Sequence, residues 1–406
     1  MNVFQKIKTY SIVEFLVLLI LITLPLGYAV NSISIILFFI GSFLLRVFKI
    51  EKYSFNNINI LLILFFGLCF SSLLWTDNIE NTKNVLPRFL SFLVLPIAFS
   101  IKTDTNFKKE KVLSTFSQSL VFYAFYCLFI GVIKAFKSKD ISYLFYHQLS
   151  QNLSNMSAIY LSVFISFAIL YYLNKKIKSR VDIFYLFFLG LFLILLSSKT
   201  IITITFLLSI IIFLKDFELK KINIKQFFFI GLILLIFIIA SVNFHKRFET
   251  EFNKTNITEV LTKKEFGHVY LWTGTGLRVF QIKAFYEVFL EKRKYLLGLG
   301  LNNSQKSLNE KYNEYNLYPG FLNFNYHNQY IQILAELGIV GLLIGISILI
   351  LITKQAVFYK DHFLLSFIFF TLVVFMTESF MWRQRGMVFF ITILLLFNKK
   401  NNELFK

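Results

Sequence analysis

Charge is scarce in this sequence. Asp, Glu, Lys and Arg together make up 16% of its 406 residues, against 57% hydrophobic residues. A soluble surface wants roughly a quarter of its residues charged, so the shortage excludes two or three water-soluble domains and leaves a chain that crosses a membrane many times. Cysteine is nearly absent. Cys69 and Cys127 both fall inside apolar runs, where they read as small apolar fillers and exclude a disulfide framework or a cysteine metal site. Acidic residues are outnumbered, 22 against 42 Lys and Arg, for a net charge of +20. The cations sit in short clusters between apolar runs, so their partners are membrane lipids and not nucleic acid. No Walker-type loop occurs, which excludes a nucleotide motor. No HExxH and no close His/Cys cluster occurs, so neither a metal nor another cofactor is expected. There is no GxSxG, and Gly298-Leu299-Gly300 is too short for a dinucleotide fingerprint. Mid-span charge is also missing, which counts against an ion-coupled carrier.

What the sequence does have is apolar length. A helix needs about 20 apolar residues to cross a bilayer. Spans are predicted near 11–30, 31–48, 57–75, 85–101, 115–136, 156–174, 181–197, 199–215, 226–243, 326–353, 362–380 and 386–398. The segments 137–155 and 244–325 are too polar to cross. The expected fold is all-α: a polytopic membrane protein with about 12 transmembrane helices and one large outer loop between the ninth and tenth. Residues 1–243 then hold spans one to nine, 244–325 the loop, and 326–406 spans ten to twelve with a tail. With both termini inside, the inner loops collect the cations, among them Lys6, Lys8, Arg46, Lys49, Lys108, Lys109, Lys175, Lys176, Arg180, Lys399 and Lys400, as the positive-inside rule expects. The run after Lys6 and Lys8 lacks a small-residue cleavage site and reads as a retained first helix.

The outer loop is the soluble-like part. An amphipathic helix is predicted from about Leu277 to Leu297. Val279, Phe280, Ile282, Phe285, Phe289 and Leu290 form its apolar side, and Lys283, Glu287, Glu291 and Lys294 its polar side. Gly298 fits its C-cap. The helix is expected to lie on the outer membrane face or to cap the bundle.

Polar residues that need explaining gather at the same face. Arg88 follows Pro87. Lys199 follows Ser197 and Ser198 at a tight outer turn. Arg278 opens the loop helix, and His327 with Asn328 opens the tenth span. Glu378, Arg383 and Arg385 surround the last outer turn. One histidine among several fixed cations suits a phosphate-bearing lipid substrate. Arginine forks bind phosphate oxygens bidentately and lysine acts as a point charge. A neutral histidine can take a proton from a sugar hydroxyl near pH 7. Plainer roles exist for each: Arg88 paired with Asp77 or Glu80, Lys199 as a helix-end anchor, His327 bonded to a backbone carbonyl. His147, His245, His268 and His362 have weaker contexts and read as structural or solvated.

The run Tyr326-His327-Asn328-Gln329-Tyr330-Ile331-Gln332-Ile333-Leu334-Ala335-Glu336-Leu337-Gly338-Ile339-Val340-Gly341 resembles the signature of the O-antigen ligase and O-antigen polymerase family. There a His-Asn pair precedes an apolar helix carrying Glu-x-Gly-x-x-Gly. Gly298-Leu299-Gly300 resembles the Gly-x-Gly that ends that family's large periplasmic loop, and Arg278 the arginine at the start of its loop helix. Leu196-Ser197-Ser198-Lys199 resembles its Ser-Arg turn, with Lys in place of Arg. Leu74-Trp75-Thr76, Pro87-Arg88 and the segment from Glu378 to Gly386 also fit. The similarity covers about residues 60–395.

The resemblance implies about twelve helices with a large periplasmic loop, in a bacterial inner membrane, with both termini cytoplasmic and the active site facing the periplasm. It implies a metal-independent glycosyltransferase of lipopolysaccharide biosynthesis that needs no nucleotide. The donor is a glycan on undecaprenyl diphosphate. Ligases pass it to lipid A–core, and polymerases to another lipid-linked repeat. The family assigns the loop arginine, here Arg278, and the histidine, here His327, to catalysis, and further arginines to the diphosphate. Sugar transfer from a diphosphate needs charge stabilisation on the leaving group and a base for the acceptor hydroxyl. Arg88, Lys199 and Arg278 fit the first need, with Arg383 and Arg385 behind them, and His327 fits the second. Glu378 and Asn328 are expected to orient these groups. Two departures stand out: Lys199 cannot form a bidentate fork, and Leu153–Ser157 holds no His where the family often has one, His147 being the nearest. The competing readings are an O-antigen or exopolysaccharide polymerase, a flippase for lipid-linked glycans, and a cell-wall glycan polymerase of the shape-and-division type. The flippase would want a polar lining that these spans lack. The cell-wall enzyme would rely on an acidic outer loop, which the His-Asn signature disfavours.

Overall fold

The structure, a computed structural model, describes residues 11–49, 54–100, 107–215, 256–267, 272 and 274–398. The expected ninth span at 226–243, the terminal lysines Lys6, Lys8, Lys399 and Lys400, and His245 and His268 lie outside the described residues.

Among the described residues every regular element is helical. Ten described helices precede residue 256: α1 (Ile12–Thr23), α2 (Tyr28–Lys49), α3 (Asn57–Ser71), α4 (Ile79–Phe89), α5 (Ser91–Ser100), α6 (Lys109–Ser138), α7 (Tyr146–Ser154), α8 (Ala158–Asn174), α9 (Arg180–Leu195) and α10 (Lys199–Lys215). The loop holds α11 (Ile257–Thr262), α12 (Gly274–Lys292) and α13 (Ser304–Glu314). The chain then runs through α14 (Gln329–Phe358), α15 (His362–Thr377) and α16 (Gln384–Phe397). Among the described residues five stretches are long and apolar enough to cross a membrane: Tyr28–Phe48, Asn57–Leu74, Ile79–Ser100, Lys109–Ser138 and Gln329–Phe358.

The starts of these helices are written in polar caps. Ser11 with Glu14 and Ser179 with Asp182 form capping boxes at α1 and α9. Asn56, Asn78 and Asp361 cap α3, α4 and α15 by accepting backbone N–H bonds. The cap at Asn78 starts the helix at Ile79, ahead of the span expected at 85–101, so Arg88 sits in the last turn of α4 and not at a helix start. Glu14 is buried, and its carboxylate also accepts the Lys108 N–H at 2.6 Å, which ties α1 to the head of α6. Helices α8 and α16 are apolar and buried on almost every side, so they form the centre of the bundle. Cys69 and Cys127 are buried and free, in keeping with filler roles.

The loop has its own small core of Phe266, Trp272, Phe280, Tyr312 and Tyr315. Here the sequence reading needs correction. The loop helix spans Gly274–Lys292 and ends before Leu297. Arg293 then turns left-handed at φ 53°, because the following backbone is used elsewhere. The buried face of α12 is Leu277, Phe280, Gln281, Ala284 and Val288. Ile282 and Leu290 instead face outward, 48% and 47% exposed. The face is rotated because Gln281 is satisfied inside, donating to the Tyr312 hydroxyl at 2.9 Å and the Asn325 carbonyl at 2.7 Å. Lys311 pins α13 to α12 through Glu291 at 2.6 Å, with Glu314 at 2.8 Å and Glu287 at 3.5 Å. Burial alone would lower its pKa, but bonding to Glu291 and Glu314 holds it well above the ordinary lysine range.

Candidate active site

The site is built on a break in α14. Gly338 stands at φ 63°, ψ −164° inside that helix, a conformation essentially reserved for glycine. The break frees helical partners on both sides, and the loop's return takes them up. Leu299 and Gly300 donate to the carbonyls of Ala335 and Glu336, each at 2.9 Å. Ile339 and Val340 donate to the carbonyls of Tyr295 and Leu296 at 3.0 and 3.2 Å. Gly298 is therefore a docking residue and not the helix C-cap expected from the sequence. Its φ is 69°, and a Cβ there would come within 2.5 Å of the Glu336 backbone. Trp75 Nε1 donates to the Leu297 carbonyl at 3.1 Å, so the Leu74-Trp75-Thr76 element holds the same strip from the other side.

Next to the break lies Glu336, 1% exposed. Its carboxylate accepts from the Asn302 N–H at 2.6 Å, Ser304 Oγ at 2.8 Å, Gln332 Nε2 at 2.6 Å and Trp382 Nε1 at 2.8 Å. With Gln329 and Gln332 it forms a polar stripe at i, i+3 and i+7 on α14. Gln329 Oε1 accepts the Met381 N–H at 2.6 Å, and Gln332 Oε1 accepts from Ser379 Oγ at 3.2 Å. The stripe thus fixes the 378–382 turn. In Glu336→Gln the new amide NH2 would face donors, leaving at least one buried group unmatched. Thermal unfolding is expected to show a loss of about 1–3 kcal/mol.

That turn delivers Glu378 to His327. Asn328 caps α14 by accepting from Tyr330 and Ile331, and its Nδ2 donates to the Met376 carbonyl at 3.2 Å. The start of α14 is thereby clasped to the end of α15. His327 Nδ1 lies 3.3 Å from both Glu378 oxygens. Arg278 Nη2 stands 3.7 Å from Glu378 Oε1, and its Nε donates to the Thr377 carbonyl at 3.3 Å.

These groups open on a cavity of ≈ 540 Å³ that Arg383 and Arg385 also line. Arg383 is exposed to it. Arg385 is buried and partly committed: its Nη2 donates to the Leu26 carbonyl at 2.6 Å and to Ser154 Oγ at 2.9 Å, and its guanidinium lies 4.6 Å over the Tyr28 ring. The cavity therefore gathers His327, Arg278, Glu378, Arg383 and Arg385 from the residues singled out in the sequence. Arg88 and Lys199 are not among its lining residues. Arg88 donates to the Trp382 carbonyl at 3.3 Å, and Lys199 opens α10 at the outer turn. Asp77 pairs with Lys294 at 2.8 Å.

Part of the lining carries no signal in the sequence. Tyr28, Tyr146, His147, Asn155 and Tyr160 belong to it. His147 is thus not merely solvated; its Nδ1 also accepts the Ala158 N–H at 3.2 Å at the head of α8. One signal could not be read from residue types alone. Tyr146, Asn155, Asn323 and His327, all on the cavity wall, hold left-handed φ between 44° and 67°. Such strain collects where the surroundings force a functional geometry.

Burial lowers the His147 pKa, against an opposing pull from Glu378. A histidine held below its unfolded value takes up its proton at lower pH in the fold than in the unfolded chain. It therefore withdraws stability as pH falls below about 6.5 towards its folded pKa. Thermal unfolding at pH 7.5 and 5.5 is expected to show a smaller acid-induced drop for His147→Asn than for the unaltered chain.

Comparison with known proteins adds one finding. Residues 183–346 match a family model described as O-antigen ligase. The match takes in Lys199, Arg278, His327, Glu336 and Gly338, and stops short of Glu378, Arg383 and Arg385. No curated protein matches the chain.

Proposed function

We propose, for a chain assigned through its residues 183–346 to the O-antigen ligase family, that it moves a glycan from undecaprenyl diphosphate to a sugar hydroxyl of lipid A–core. The transfer takes place at the periplasmic face of the inner membrane, in a bundle of twelve spans. One observation carries this reading: His327, Glu378 and Arg278 meet on a cavity whose remaining fixed charges, Arg383 and Arg385, are cationic.

The Nδ1 of His327 faces a carboxylate, so that nitrogen carries the proton and Nε2 keeps its lone pair. Nε2 takes the proton of the acceptor hydroxyl while that oxygen bonds to the anomeric carbon. The bond from the anomeric carbon to the diphosphate oxygen breaks, and the diphosphate leaves with the electron pair. Arg278 and Arg383 offer guanidinium forks to the growing negative charge. Glu378 stabilises the imidazolium and holds Arg278 in place. The donor brings its own activation as a diphosphate ester, so the step uses no nucleotide. Arg88 and Lys199 stand off the cavity wall, so first contact with the diphosphate falls to the arginines that line it.

The test is a gel of lipopolysaccharide from a strain lacking the gene. Bare lipid A–core, with polymeric glycan left on the polyprenyl carrier, is the expected result. Core capped by a single repeat would assign a polymerase instead. An unchanged ladder would overturn both.

A further inference from the structure

The residues that line the cavity fall into two chemical groups. One holds Arg278, Glu378 and Arg383. The other is the segment 146–160, which runs through α7 into the first turn of α8. Tyr146, His147, Asn155, Ser157 and Tyr160 face the cavity from it, and none of them is a fixed cation or a carboxylate. Arg385 reaches this segment, but its Nη2 is spent on Ser154.

His147 has a fixed tautomer. Its Nδ1 accepts the Ala158 N–H at 3.2 Å. A ring nitrogen that accepts a backbone N–H holds no proton, so neutral His147 carries its proton on Nε2. His147 is therefore set as a donor, the opposite of His327, whose Nε2 is an acceptor. The strained backbone of Tyr146, at φ 50°, sets the chain into this position, and its ring centroid packs 3.9 Å from that of His147.

A sugar ring presents hydroxyl oxygens around its rim and apolar C–H faces. Neutral donors, amides and aromatic rings recognise it, whereas a diphosphate calls for cations. We infer that the segment 146–160 is a sugar subsite, in which His147 Nε2–H donates to a hydroxyl oxygen of the glycan ring joined to the diphosphate. This rests on the transferase reading and divides the cavity: diphosphate against the arginines, sugar against α7 and the head of α8.

Two substitutions separate this role from simple helix capping. Asn places an oxygen near the position of Nδ1, so His147→Asn keeps the bond from Ala158 but ends short of Nε2. Gln carries an amide N–H to the position of Nε2, so His147→Gln keeps the donor but gives up the bond from Ala158. The purified full-length protein and both variants are titrated with undecaprenyl diphosphate bearing one N-acetylhexosamine and with the sugar-free lipid. Thermal unfolding is followed on the same samples. The unaltered chain is expected to bind the sugar-bearing lipid roughly five- to tenfold tighter than the bare one. His147→Asn loses that difference and keeps its bare-lipid affinity and Tm. His147→Gln keeps the difference and unfolds at a lower temperature. The reverse pattern, with Asn retaining the sugar increment and Gln losing it, reduces His147 to a cap and overturns the subsite. Equal binding of both lipids by the unaltered chain also overturns it, while the transferase reading stands. If the unaltered chain binds neither lipid, the transferase reading falls and the subsite with it.

Discussion

His327→Ala is expected to lower glycan transfer by about 10²–10⁴-fold, the range set by removing a general base, while the protein stays folded. The geometry separates these two effects. The His327 ring meets Glu378 and packs edge-on against the part-exposed Phe324, and its backbone N–H donates to Asn325 Oδ1 at 3.0 Å whatever the side chain is. The residue sits at φ 44°, where a side chain is disfavoured and glycine is not. His327→Gly is therefore expected to abolish transfer to the same extent and to raise thermal stability, by about 0.5–1 kcal/mol. A transfer assay and a thermal melt on the two variants check both halves. Near-normal transfer in either variant would end the assignment of His327 as the base. A variant that gains stability as it loses activity would mark the strain at this position as serving the reaction.

Gly338→Ala is expected to produce the largest loss of stability in the molecule. A Cβ at this position would lie 2.2 Å from the Leu296 carbonyl oxygen and 2.6 Å from the Leu297 nitrogen. Both contacts are backbone, so no side chain can swing away. The dihedrals themselves cost about 1–3 kcal/mol for any residue but glycine. Moving the 295–300 strip back would also break hydrogen bonds to Ala335, Glu336, Ile339 and Val340, and at the buried Ala335 and Glu336 each loss leaves a group unpaired at about 1–3 kcal/mol. The sum is about 4 kcal/mol or more, enough to consume a large part of an ordinary domain's stability. Thermal unfolding or protein yield from membranes reads it directly. A Tm within a few degrees of the unaltered chain would mean that the strip does not depend on the glycine.

Much of this was legible beforehand because it depends on neighbours in sequence. The apolar runs mark helices by local chemistry alone. His327, Glu378, Arg383 and Arg385 read as a group because the alternation of successive spans brings these particular span ends to one side of a bundle. The rest depends on partners far along the chain. The loop helix reads with Ile282 and Leu290 on its apolar side until Tyr312 and Asn325 take up Gln281 and turn the face. Gly298 reads as the end of a helix until Glu336 and Gly338 arrive, some forty residues later in sequence. Glu336 was visible as part of a motif, but its four donors come from three separate segments. His147 looked ordinary because nothing near it in sequence shows that α7 folds into the same cavity lining as His327. Arg88 and Lys199 suit a diphosphate on type and position, and their places off the cavity lining, with Arg88 donating to the Trp382 carbonyl, depend on contacts far along the chain.

The exchange of backbone partners between 295–300 and 335–340 also decides how this protein can be recombined. The segment 256–325 looks like an interchangeable cassette, the natural unit to graft from one chain into another. It is not a closed unit. A graft that replaces the loop but keeps the host's α14 asks Ile339 and Val340 to find acceptors in a strip shaped for another helix break, and asks the incoming Gly-x-Gly to settle on carbonyls it has not met. Functional chimeras should therefore carry their junctions past Gly341 and retain the donor's own Leu74–Thr76. The inheritable module is the loop together with the first turns of the helix it interrupts.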